Sequence, residues 1–266
     1  MIKKILMPVC RILIVLIGIT FLSFSLMYLG PGDPAEKYLA GGDGNKGTIS
    51  EEAIQAQREK WGLDKPFLVQ YGVWLGRVFH GNLGNSYSTG RPVLQELTKK
   101  AGPTASLAFA SMLVCIIISV PLGVLCAYHK DGVIDNISRI FSFIGISLPS
   151  FLVSLILLYV LSVRYHWFSI SGENGIKAIL LPMAVLAFQS SAKLTRQVRS
   201  VVLAELNRPY VQGARARGVS KNRILFCHVL RNSWMPILTL IGIHFGIQLG
   251  GAAVVESVFS WQGLGQ

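Results

Sequence analysis

Apolar and polar positions alternate in long blocks along this chain. Five apolar runs reach the roughly 20 residues that a membrane-spanning helix needs, at about 9–30, 104–128, 137–163, 177–196 and 234–255. The first is too long for a signal peptide and lacks a small-residue cleavage site, so it reads as a retained span. Between the first two runs lies a polar loop, 31–103, longer than a structureless connection should be, which predicts that it folds. Within it, EEAIQAQREKWGL carries a helix signature, with Ser50 as cap and acids in the first turn. After Pro66, the positions of Phe67, Tyr71, Trp74, Leu75 and Val78 follow helical spacing. Such a helix fits either the outer membrane surface or a lid packed on the span bundle.

A second polar block runs from Lys193 to Arg231, between the last two apolar runs. It predicts a short helix at 209–217. Asn207 is placed to cap it, Pro209 sits in the first turn where no amide donor is needed, and Gly218 suits a left-handed exit. Ser220 is placed to cap a further helix that runs into the fifth span. A short basic helix tethered on both sides to spans is arranged to meet a partner.

Composition narrows the class and charge orients the chain. Only 14% of the residues are charged and 52% are hydrophobic, which excludes an ordinary soluble domain. The net charge of +12 does not point to nucleic acid, because it is unevenly spread. The 193–231 block holds nine Lys and Arg against one acid, Glu205, whereas the 31–103 loop holds nine against eight. By the positive-inside rule the N-terminus, 129–136 and 193–231 lie in the cytoplasm, with 31–103 and 164–176 outside. Three divisions follow: 1–30 with the first span, 31–103 outside, and 104–266 as a membrane core whose cytoplasmic loop is 197–231.

The chemistry on offer is sparse. GGDGNKGT near Gly41 lacks the order of a phosphate-cradling loop, and no metalloprotease or nucleophile-elbow motif occurs, so no enzyme is expected. Cys10, Cys115, Cys126 and Cys227 read as small buried hydrophobes. In the fifth span Gly242, Gly246 and Gly250 form a ridge that predicts close helix packing, with His244 and Gln248 about 160° away on the wheel. Polar residues at membrane depth line a path or a buried network, which makes His244, Gln248 and Gln189 candidates for the path. Met183 joins them as a thioether donor, although core filling explains a methionine equally well. Glu256 reads as an interfacial acid or a salt-bridge partner.

Several long stretches resemble one family. YVQGARARG with Gly218 and HVLRN, LGPGDPAEKYL, WGLDKPFLVQYGVWLGRVFHGNLGNSY, GRPVLQEL and GGAAVVESVFSWQGLGQ occur in the order seen in permease subunits of binding-protein-dependent ABC importers of the dipeptide, oligopeptide and nickel group. The resemblance implies an all-α, polytopic fold of the type I importer kind in the bacterial inner membrane. It implies a second related permease, two ATPase subunits that bind ATP and Mg, and an extracytoplasmic solute-binding protein as partners. It also implies that Tyr210, Val211, Gln212, Gly213, Ala214, Arg215, Ala216, Arg217 and Gly218 form the coupling helix that enters the ATPase.

Three departures qualify that picture. Gln212-Gly213-Ala214 stands where many such permeases have Glu-Ala-Ala, so Gln212 offers no salt bridge to the ATPase. The family has six spans where five are visible, which predicts a fragment. GIHFGIQLGG resembles nickel-type members, because peptide-type ones usually carry Gln at the position of His244. Nickel or a related metal is therefore the expected solute, with His244 as a transient ligand, and short peptides are the alternative.

Overall fold

The computed structural model describes residues 2–39, 50–87, 89–169 and 177–266. Among them are eleven α-helices, two π-helical turns and no strand beyond an isolated bridge between Asn85 and Pro92. The GGDGNKGT stretch lies outside the described residues. The chain divides into two compact units, 1–98 and 99–266.

In the first unit α1 (Ile2–Leu29) is the first span, followed by α2 (Pro34–Leu39), α3 (Glu51–Trp61) and α4 (Phe67–Phe79). Ser50 caps α3, its hydroxyl accepting from the Ala53 amide at 3.3 Å, and Gly62 ends the helix at φ +72°. Aromatic rings decide where α4 goes. Phe67, Tyr71 and Trp74 share one face and meet Phe21, Phe24 and Tyr28 of α1 with ring centroids 5.1–6.0 Å apart. The Tyr71 hydroxyl lies 3.1 Å from Thr20 Oγ1 and donates to the Ile17 carbonyl at 3.3 Å. The helix α4 thus packs on the first span and leaves Leu68, Val73 and Phe79 exposed.

The second unit is built around α8 (Lys177–Leu206). Against it pack α6 (Val133–Ser147), α7 (Ser150–Leu158) and α11 (Leu230–Val258). The helix α5 (Val93–Tyr128) crosses the boundary between the units and approaches α8 at Gly123. Glycine lets the backbones close in. A Cβ on Gly145 of α6 would fall 2.6 Å from that of Ala192, and one on Gly123 would fall 2.8 Å from Val198 and 2.9 Å from the Thr195 carbonyl. The apolar core runs through Met112, Cys115, Leu194, Val198, Val202 and Ile237, with a second cluster around Leu107, Val185 and Val255.

Several sequence expectations change. The run 137–163 is not one straight span, because α6 and α7 meet at a bend of 100°. Pro149 carries no amide donor and pushes Leu148 out of the helical region, to φ −86°, ψ 127°. Cys115 and Cys126 are buried as expected, but Cys10 and Cys227 are exposed. Among the described residues Glu256 makes no ion pair. It is fully buried and accepts from the Thr104 hydroxyl and the Gly265 amide, both at 2.7 Å. A Cβ on Gly242, Gly246 or Gly250 would meet nothing within 4 Å among the described residues, because α11 packs through its opposite face.

Gly145→Val is therefore expected to destabilise the protein by about 1–3 kcal/mol through overpacking against Ala192. Gly246→Val, on the open face, should stay within about 0.5 kcal/mol. Thermal denaturation of the two variants in detergent distinguishes the faces.

Candidate functional site

Two places in the second unit carry the candidate residues. The first is α9 (Pro209–Ala216), held between the end of α8 and α10 (Lys221–Arg223). Pro209 occupies the first turn as expected. The cap is Arg208 rather than Asn207, and no side chain bonds the helix start. At the other end Gly218 takes φ +75°, its amide donates to the Arg215 carbonyl at 3.0 Å, and the Val219 amide donates to Ala214 at 3.1 Å. Only a residue tolerant of the left-handed region closes the helix in this way. Ser220 stands at the start of α10 without a side-chain bond. Beyond it, a π-helical turn Ile224–Val229 joins α10 to α11 without a loop.

The two faces of α9 differ. Val211 and Ala214, one turn apart, are buried in the core with Val202, Ile224, Leu225 and Val229. Gln212, Gly213, Arg215, Ala216 and Arg217 are exposed. Tyr210 is at the edge, its hydroxyl donating to Glu205 Oε1 at 2.8 Å. Burial pushes its phenol above the usual range and Glu205 adds to the shift, while Asn232 opposes it, so Tyr210 remains a neutral donor. A helix anchored by two side chains and open on its other side has the form of a short lever with an exposed face. The sequence segment 210–218 is thus one capped element, but Val211 and Ala214 face inward.

The second place is a polar seam between α8 and α11. His244, 4% exposed, donates from Nε2 to Gln197 Oε1 at 2.7 Å. One turn further, Gln248 donates to Ser190 Oγ at 2.9 Å and to the Leu186 carbonyl at 3.4 Å, and its own Oε1 has no partner among the described residues. These pairs satisfy polar groups where apolar packing would orphan them. Gln189 turns the other way. Its amide donates at 2.7 Å to the Leu148 carbonyl, which the Pro149 break removes from the helical ladder. Met183 is half-buried against Val185, Leu186 and Val255, filling core space. Among the described residues no three His, Cys, Asp or Glu side chains gather as a metal site.

Sequence reasoning missed one cluster. Asp135 of α6 is fully buried and meets two of the Arg199 guanidinium nitrogens, Nε at 2.5 Å and Nη2 at 2.7 Å, along with Arg139 at 2.7 Å. The available signal was an acid beside one apolar run and an arginine beside another on the same predicted side.

Comparison with known proteins decides the family. Residues 119–266 match the family described as binding-protein-dependent transport system inner membrane component, and residues 1–108 match its N-terminal companion. The chain belongs to this permease family. It is 38% identical over 263 residues to the oligopeptide transport system permease protein AppB of Bacillus subtilis, covering 95% of this chain and 81% of that one. It is 36% identical over 261 residues to a putative peptide permease of Brucella suis, covering 94% and 81%. A probable peptide ABC transporter permease of Sinorhizobium fredii is 36% identical over 251 residues, covering 91% and 78%. The fold is accordingly the all-α, multi-pass arrangement of an ABC importer permease. The nickel expectation finds no support in these relatives, which are named for peptides, and His244 bonds Gln197.

For this permease, Val211→Asp is expected to release α9 by burying a carboxylate without a partner, a loss of several kcal/mol. Gln212→Ala, on the exposed face, should change stability by less than about 0.5 kcal/mol. Limited proteolysis between residues 206 and 220 reads the difference, with faster cleavage expected only for Val211→Asp.

Proposed function

We propose that this chain is the permease subunit of an ATP-driven importer of short peptides, forming half of the path. The observation that carries this reading is the near full-length similarity to proteins named oligopeptide and peptide permeases. Positive-inside loops support an N-terminus and an α9 on the cytoplasmic side. There the exposed face of α9 docks into an ATPase subunit, which binds ATP and Mg; a second ATPase serves a second related permease. An extracytoplasmic binding protein delivers the solute. The α9 anchor supports this assignment, since a short helix fixed by Val211 and Ala214 transmits a push that a floppy loop would absorb.

His244, Gln248 and Gln189 then serve the path by holding its walls. In the described arrangement each already spends hydrogen bonds within the chain, and Gln248 Oε1 keeps an acceptor for water or a passing peptide amide. Metal coordination has no comparable support.

The test is uptake by the whole complex in proteoliposomes. Labelled tri- to pentapeptides should enter only with ATP and binding protein, and excess Ni²⁺ should not compete. Nickel uptake without peptide uptake, or peptide entry indifferent to ATP, would overturn the reading. His244→Gln is expected to retain peptide uptake, because an amide at that position can still donate to Gln197.

A further inference from the structure

We infer that the Asp135–Arg199 pair is the linkage that makes α6 and α8 move as one body when α9 is displaced. Arg199 is thus a positioning residue for coupling. This rests on the transport reading above and concerns residues to which nothing so far assigns a role in transport.

Four hydrogen bonds converge on one buried carboxylate from three pieces of chain. Arg199 of α8 approaches with Nε on Oδ1 at 2.5 Å and Nη2 on Oδ2 at 2.7 Å, a forked geometry. Arg139, one turn along α6, adds 2.7 Å, and the Asp131 amide in the turn between α5 and α6 adds 2.9 Å. That turn is otherwise an unfavourable conformation. Asp131 sits at φ +62°, in the left-handed region, and its own carboxylate is held by Arg139 at 2.6 Å. The network therefore fixes the turn as well as the helix pair. Asp135 is 0% exposed and Arg199 20%, so salt screens the pair less than a surface bridge.

Position makes the linkage mechanical. Arg199 lies two turns before α8 ends at Leu206, and between them Val202 is packed in the same core as Val211 of α9. About 10 Å of uninterrupted helix separates the clamp from the lever. The segment after α9 is tied to the same hairpin, because the Tyr128 hydroxyl at the end of α5 donates to Asn222 Oδ1 at 2.8 Å. Both flanks of α9 therefore grip the α5–α6 junction. Apolar contact at Gly145 and Ala192 keeps α6 near α8, but it is non-directional and tolerates sliding. A two-pronged ionic bond does not. Buried pairs of this kind contribute more to specifying an arrangement than to stability.

The experiment reads peptide imported per ATP hydrolysed in the reconstituted complex, together with a distance between nitroxides at Val133 and Ala204. In the wild type the distance distribution should stay narrow with and without ATP and vanadate. Arg199→Met should lower peptide per ATP at least about tenfold and broaden that distribution, with Arg199→Lys intermediate, because charge without the fork restores only part of the constraint. The double variant Asp135→Leu/Arg199→Met repacks the site without charge and should assemble yet remain uncoupled. It decides the matter if Arg199→Met alone fails to assemble. Peptide per ATP within about twofold of wild type, with a narrow distance, in the double variant would overturn the proposal. If the wild-type complex imports no peptide, the transport reading fails instead, and the nitroxide distances still decide whether the pair holds α6 to α8.

Discussion

Close approach of neighbouring helices to α8 is the constraint on which the second unit depends. Backbones come near enough only because Gly123 and Gly145 present no side chain to Val198, Thr195 and Ala192. Once they are that close, polar groups along α8 fall within reach of partners on other elements. Ser190 and Gln197 meet α11, Gln189 meets the α6–α7 break, and Arg199 meets Asp135. An apolar solvent would leave each of those groups unsatisfied, so the helix carrying the most polar residues is also the one most enclosed.

The break at Pro149 shows the same logic locally. Proline removes a donor and bends the chain, which leaves the part-buried Leu148 carbonyl outside the helical ladder. Gln189 supplies the missing hydrogen bond at 2.7 Å. A residue that looks, by type and depth, like part of a solute path is thereby committed to holding a bent helix pair. His244 and Gln248 are committed in the same sense to holding α11 on α8. These amides and the imidazole stiffen the helix contacts through bonds inside the chain.

The lever and its mounting are similarly joined. Two buried side chains, Val211 and Ala214, seat α9 in the core, and its remaining positions stay free for a partner. The adjacent ionic cluster turns the packing of α6 on α8 into a fixed orientation. Under the proposed function, small displacements at α9 would be directed into whole helices, because close-packed interiors transmit strain and resist compression.

By itself the sequence determined the class, the helical elements and the extent of α9. Apolar run length and the Pro209 and Gly218 punctuation are local properties, and local rules placed helices from them. The Ser50 cap of α3, the start of α4 after Pro66 and the extent of α9 were legible for that reason. Tertiary structure alone decided which face of each helix was used. The glycine ridge of α11 and its His244–Gln248 face are equally regular on a helical wheel, and only the position of α8 determines that the polar face is the packed one. The same holds for Asp135 and Arg199, which lie 64 positions apart and become partners only after α6 folds onto α8. Periodicity gives a helix its faces. It gives no neighbour, since the pairing energy resides in groups brought together from distant parts of the chain.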